Sequence, residues 1–436
     1  MGEMTNSPLT LLALDLGTTT LVGRLLRDDG VLLAEVRAAN PQRSLGADIL
    51  SRLQHAHEGG GEELQRLLFA GLRPLVAELL AQAGCPAAHV SAAAAAGNPG
   101  ISHLLCRLPV SGLLFPPHRS LLKQLTTLTP AEIDLGLTVP LQLFPTVSGF
   151  VGGDLVADLY GLLETGGWGL ATSNQQPASS PVSPHPGDSP LLLLDLGTNA
   201  ELALWDGRRW LVTSAAAGPA FEAGNIACGM PLAPGAVVDV QLAGDRLTMR
   251  VAGGGRPLGL CGSGLLALIA AALQGGLIDP GGRIVAPEEV GTNLARYLVT
   301  DGAGWAICFH RDARGELRLS QDDVRQLQLA KGAVRAGIEV LLHRAGVTAA
   351  DLAAVGVTGA FGTALPAAAV KGIAMFPEGV VDKLFFVPNG VLDGLGAYLA
   401  DPQGGVHLVA LQATIQPFPL SGTPAFEQRF LAALEF

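Results

Sequence analysis

Two apolar runs in this chain share one shape. "LLALDLGTTT" fills positions 11–20 and "LLLLDLGTNA" fills positions 191–200. In each, a single aspartate interrupts the apolar stretch, and glycine with small polar residues closes it. A second apolar run follows, "TLVGRLLRDDG" in the first case and "AELALWDGRRW" in the second. Strand, tight glycine turn, strand is the local structure this predicts at both places, since Gly and Thr at the turn would interrupt a helix. Elsewhere the period lengthens to that of helices. "GADILSRLQHAHEGGGEELQRLLFAGLRPLVAELLAQAG" carries apolar residues at helical spacing and ends in glycine. "FVGGDLVADLYGLLETGG" predicts a helix opened by Gly152 and Gly153. "SQDDVRQLQLAKGAVRAGIEVLLHRAG" predicts another, with Ser320 as N-cap, Asp322 and Asp323 in the first turn and Gly346 at C′.

Asp15 and Asp195 lie 180 positions apart, about one domain length. A chain of 436 residues is long for a single core. Two similar α/β lobes follow, residues 1–170 and 191–436, joined by the Ser/Pro-rich stretch 171–190, "ATSNQQPASSPVSPHPGDSP", which reads as a surface linker. With 49% apolar and 15% charged residues the composition excludes a disordered chain. A net charge of −11 and the lack of any basic run argue against a nucleic-acid partner. Five dispersed cysteines (Cys85, Cys106, Cys228, Cys261, Cys308) form no C-x-x-C pair, which fits buried thiols in a reducing cytosol rather than a zinc ribbon or an iron–sulfur loop. No apolar run reaches the length of a membrane span and the start is unlike a signal peptide, so a cytoplasmic protein without membrane attachment is expected.

The doubled D-x-G-T turn suggests a chemistry. Glycine allows close backbone approach, amide N–H groups and a threonine hydroxyl can cradle phosphate oxygens, and the strand-end aspartate offers hard oxygen ligands to hydrated Mg²⁺. One such turn could be an ordinary turn; two, one domain apart, point to a nucleotide gripped from both sides. P-loop and dinucleotide-binding signatures are absent, as are the metalloprotease and nucleophile-elbow motifs. His55 and His57, two apart on a helical pattern, are surface residues rather than a metal pair. On the helix beginning at 321, Leu327, Val334, Ile338 and Leu341 mark an inward stripe on which Lys331 also falls, with Gln328 on the adjoining face. An inward lysine could meet ribose or phosphate; otherwise it snorkels at the stripe's edge.

These residues resemble the superfamily of acetate and sugar kinases, heat-shock chaperones and actin. More closely, the chain resembles the C-terminal ATPase domain of the reductive activators of corrinoid proteins. The likeness rests on "ALDLGTTT", "NPQRSLGADILSRL", "GNPGISHLL", "GFVGGDLVADL", "LLDLGTNAEL", "AAGPAFEAGNIACGM", "GLCGSGLLAL", "VRQLQLAKGAVRAGI" and "VTGAFG", from about residue 11 to 365. It implies two ribonuclease-H-like, actin-like ATPase lobes with a nucleotide cleft between them. It further implies that Asp15, Gly17, Thr18 and Thr19 form one phosphate loop and Asp195, Gly197, Thr198 and Asn199 the other, with Mg²⁺ held by Asp15 and Asp195 through its waters. Asp154 would orient the attacking water, Glu222 being the second choice; a plain helix-N-terminal charge is the other reading of Asp154. Gly218, Gly262 and Ser263 supply further turns near the nucleotide, and Gly359 and Gly362 would admit adenine and ribose.

The implied activity is an ATPase that drives reduction of Co(II) to Co(I) in a corrinoid protein or corrinoid methyltransferase. Activators of this kind usually begin with a two-iron, two-sulfur domain, whereas this sequence starts at the first phosphate turn. No iron–sulfur cluster is therefore expected in it, and a separate low-potential ferredoxin-like donor and a homodimeric state are. "GNPG" at 97–100 departs from the family, which has hydroxyl residues after the asparagine. A sugar or carboxylate kinase and an actin-like scaffold are the alternatives within the same fold.

Overall fold

The computed structural model describes residues 9–164, 187–302, 304–359, 361, 365–420 and 422–436. The first decapeptide forms β1 (Thr10–Leu16), a turn, and the start of β2 (Thr20–Arg27). β3 (Leu32–Ala39) extends the meander, and β4 (Val90–Gly97), β5 (Thr126–Leu128) and β6 (Leu141–Leu143) complete a six-stranded sheet ordered β3-β2-β1-β4-β6-β5. β1 pairs antiparallel with β2 and parallel with β4. β1 is therefore central and almost wholly buried, which is why it reads as a continuous apolar run instead of an alternating one. The predicted long helical region divides into α1 (Ile49–His55), capped by Asp48, and α2 (Gly61–Ala83). Gly59, at φ 108°, breaks them apart, and Gly84 ends α2 in the left-handed conformation. α3 (Pro99–Leu105) follows β4 directly, and α4 (Gly153–Glu164) starts at the predicted glycine pair.

The second decapeptide repeats the arrangement. β7 (Leu191–Leu196) pairs antiparallel with β8 (Ala200–Trp205), and β9 (Trp210–Ala215) lies beyond β8. Two three-stranded sheets are inserted next. One holds β10 (Ala236–Ala243), β11 (Arg246–Val251) and β12 (Gly259–Leu260); the other holds β13 (Leu298–Asp301), β14 (Gly304–Asp312) and β15 (Gly315–Leu319). α5 (Gly262–Gln274) and α6 (Gln321–Ala345) are the long helices of this half, α6 having the expected Ser320 cap and a left-handed Gly346. β16 (Ala354–Gly359) then pairs parallel with β7 and with β17 (Leu384–Phe386), so the neighbours run β17-β16-β7-β8-β9. Each decapeptide thus supplies a central strand with a hairpin on one side and a parallel strand on the other.

The chain divides into two units, but not at one boundary. The first takes the described residues up to 188 together with 207–210 and 389–417; the second takes 189–206, 211–388 and 418–436. Residues 207–210 and 389–417 of the expected lobe 191–436 thus pack with the first unit. The reason is α7 (Gly390–Ala400), which crosses α4 at very short range: a Cβ at Gly394 would stand 1.8 Å from the Ala157 carbonyl oxygen. Arg24 holds Asp393 at 2.6 Å, and Tyr398 meets the rings of Phe144 and Tyr160. Two further expectations are affected. Most of the expected linker, 171–186, lies outside the described residues. All five cysteines are free thiols, but Cys85, Cys106 and Cys228 are only half-buried. Among the described residues no helix is long and apolar enough to cross a membrane.

Candidate functional site

At the end of β1 the turn Gly17–Thr19 is built tightly. A Cβ on Gly17 would meet the Thr20 carbonyl oxygen at 2.4 Å, so only glycine fits. Two asparagines that the sequence reading did not single out hold the turn. Asn40, buried at 1% exposure, donates from Nδ2 to the Gly17 carbonyl (3.0 Å), and its backbone N–H donates to the Thr19 carbonyl (2.9 Å). Asn98 donates from Nδ2 to Thr18 Oγ1 at 2.9 Å, while its Oδ1 caps α3 by accepting from the Ile101 N–H. The signal was available: Asn-Pro reads as an N-cap followed by proline at N1, and this turns the "GNPG" departure into a helix start.

Asp154 joins the same place. A Cβ at Gly152 would lie 2.4 Å from Asp154 Oδ1, 2.5 Å from the Asn98 Cα and 2.6 Å from the Gly97 carbonyl oxygen. Gly152 is therefore the contact that seats the start of α4 on the end of β4. Asp15 responds electrostatically. Loss of water and the nearby Asp154 push its carboxyl from an ordinary 3.8 up to about 7, with Arg37 pulling the other way. Two carboxylates that disfavour each other's charge suit a cation.

In the second unit Asp195 ends β7 as Asp15 ends β1. Gly359, at φ 74°, passes so close that its Cβ would lie 2.3 Å from Asp195 Oδ1. The turn beyond closes on itself, the Gly197 N–H donating to the Asn199 carbonyl at 3.1 Å. Thr198 Oγ1 donates to Glu222 Oε2 at 3.0 Å, which ties the turn to the 3₁₀ segment Pro219–Glu222 after Gly218 (φ 74°). That segment touches α5: a Cβ at Gly262 would meet the Phe221 carbonyl oxygen at 1.9 Å. Glycine at 262 thus serves backbone packing and needs no ligand to explain it. Ser263 Oγ donates to the Val238 carbonyl at 2.9 Å and lines a cavity of about 890 Å³. The cavity's apolar walls include Val240, Ala267 and Leu365, and Arg250 and Asp239 also border it.

Lys331 and Gln328 are placed elsewhere. Lys331 is fully buried, as its inward stripe required, but its ammonium donates to the Glu435 carbonyl and lies 4.9 Å from the centre of the Phe436 ring. Burial and the neighbouring Arg335 bring it down to about 8. Gln328 donates to the carbonyls of Leu434 and Gly281. Both side chains hold the C-terminal residues, and the expected contact with nucleotide is corrected on that ground. Gly362 lies outside the described residues.

Comparison with known proteins adds to this geometry. Residues 189–436 match the family described as the C-terminal domain of RACo, the ASKHA domain, and residues 11–163 match the RACo middle region. The corrinoid activation enzyme RamQ of Eubacterium limosum is 28% identical over 448 residues, covering 97% of this chain and 70% of that protein. A Methanosarcina barkeri reductase of a Co(II) methylated amine-specific corrinoid protein is 30% identical over 215 residues, 43% of this chain and 35% of its own. Among solved structures, a reductive activator for corrinoid, iron–sulfur protein superposes with a TM-score of 0.85 over 99% of this chain and 67% of the other, at 24% identity, a likeness of fold.

Proposed function

The chain belongs to the family of reductive activators of corrinoid proteins, and from that premise we propose that it hydrolyses Mg-ATP to drive reduction of Co(II) to Co(I) in a partner corrinoid protein. The observation that carries this reading is the repeat in three dimensions: two hairpin turns at equivalent places in two sheets, each at the end of an aspartate-bearing central strand. Thr18 and Gly17 suit phosphate oxygens. The paired carboxyls Asp15 and Asp154 fit a divalent cation, which Asp15 would hold through its waters. Magnesium, when bound, neutralises the phosphates. Asp154 is the group to orient the attacking water, because Gly152 fixes it beside the first turn.

The electron comes from a separate low-potential donor of the ferredoxin class, and ATP hydrolysis to ADP and phosphate supplies the driving force. For one electron, about 59 mV corresponds to a factor of ten, so an uphill step of roughly 300 mV needs about 7 kcal/mol. Hydrolysis coupled to a change of conformation is a source on that scale; a few weak contacts are not. Anaerobic spectroscopy of a Co(II) corrinoid protein with a reduced ferredoxin tests this. Co(I) absorption is expected only when this chain and Mg-ATP are both present. Persistent Co(II), with ATP consumed and a sugar or carboxylate phosphorylated, would replace the reading with a kinase of the same fold.

A further inference from the structure

The two threonine hydroxyls of the repeated turns are wired in opposite senses, and one asparagine decides the first. Asn98 Oδ1 accepts from the Ile101 N–H at 3.0 Å, a group that can only donate. That fixes which end of the amide is nitrogen. The end 2.9 Å from Thr18 Oγ1 is therefore the NH₂, and the threonine oxygen is the acceptor there. A hydroxyl has one proton and two lone pairs; with a lone pair engaged by Asn98, its proton is left for a ligand. Asn40 acts in the same direction. Its Oδ1 accepts from the Gln42 N–H, so its Nδ2 is what binds the Gly17 carbonyl and neutralises an acceptor that would repel an anion. In the second unit the corresponding hydroxyl spends its proton on Glu222. The motif is the same and the polarity reversed.

We propose that Asn98 is a positioning residue that sets the Thr18 hydroxyl as a hydrogen-bond donor toward a phosphate oxygen of the nucleotide. This rests on the reading of the first turn as a phosphate loop. Donors fixed in place before the ligand arrives need no reorganisation when charge comes to them, and for that reason an asparagine is required here and a carboxylate is not equivalent.

Asn98→Asp tests the proposal because aspartate caps a helix as well as asparagine does, so α3 keeps its start. A carboxylate, however, can only accept from Thr18, which turns the hydroxyl proton away from the ligand. Calorimetric titration of the whole chain with Mg-ATP is compared for wild type, Asn98→Asp, Thr18→Val and the double variant. Each single change is expected to weaken binding at least about tenfold, and the double variant to match Thr18→Val within about twofold. Asn98→Asp binding as wild type does would overturn the proposal. So would a full tenfold loss from Asn98→Asp in the Thr18→Val background, since the new charge would then act directly and not through the hydroxyl. Should Asn98→Asp fail to fold, Thr18→Val, which removes no capping bond, still decides: unchanged affinity overturns the proposal. A wild-type chain that binds no Mg-ATP would instead remove the functional reading on which it stands.

Discussion

Asp15 lies between a hydrophobic strand and a second carboxylate, and its elevated pKa of about 7 has a consequence for stability. Between the ordinary value of 3.8 and about 7 the folded chain binds a proton that the unfolded chain does not. The stability this contributes is present at low pH and is lost as pH rises through that window. Asn imitates the protonated form. Asp15→Asn is therefore expected to melt with wild type near pH 4, and a few degrees above it at pH 8, in scans without nucleotide. A difference in melting temperature that does not change with pH would contradict the assignment. At this scale the two candidate turns were legible: an aspartate, a glycine and a threonine within four positions announce themselves in a linear string. Asn40 and Asn98 announce only their helix caps, because their partners in the turn are 23 and 80 positions away.

The elements followed their local signals where those signals were complete. Ser320 and Gly346 bound α6, and Gly84 ends α2, because caps act on backbone groups within a turn of themselves. Lys331 shows the limit. Its inward direction could be read from the stripe, but its partner, Glu435, enters from 104 positions further on. Glycines inside α7 carry no local signal at all; they reflect what α7 packs against. Gly394→Ala would drive a methyl into the Ala157 carbonyl, and a loss of about 1–3 kcal/mol or more is expected in chemical denaturation. A methyl added at Gly405, in the helix Gly404–Thr414, would meet nothing within 4 Å, and alanine there is expected to gain up to about 1 kcal/mol. If the two substitutions behave alike, the α4–α7 crossing is not what joins the return segment to the first unit.

For the molecule as a whole, the proposed function asks both repeats to serve one activity. Asp15→Asn and Asp195→Asn should each lower ATP turnover by roughly a hundredfold, with the other aspartate intact, as measured by phosphate release. Activity surviving in either variant would assign hydrolysis to one turn alone. The sequence by itself determined the two α/β halves, the strand–turn–strand at each start, the helix caps and the family, because each depends on residues near one another in the chain. Tertiary structure alone decided that residues 389–417 return to the first unit, that Lys331 donates to the Glu435 carbonyl, and that Asn98 donates to the Thr18 hydroxyl. Hydrophobic period and capping are properties of a segment. Which glycine another helix requires, and which amide meets a given hydroxyl, depends on surfaces that become neighbours only when the chain has folded.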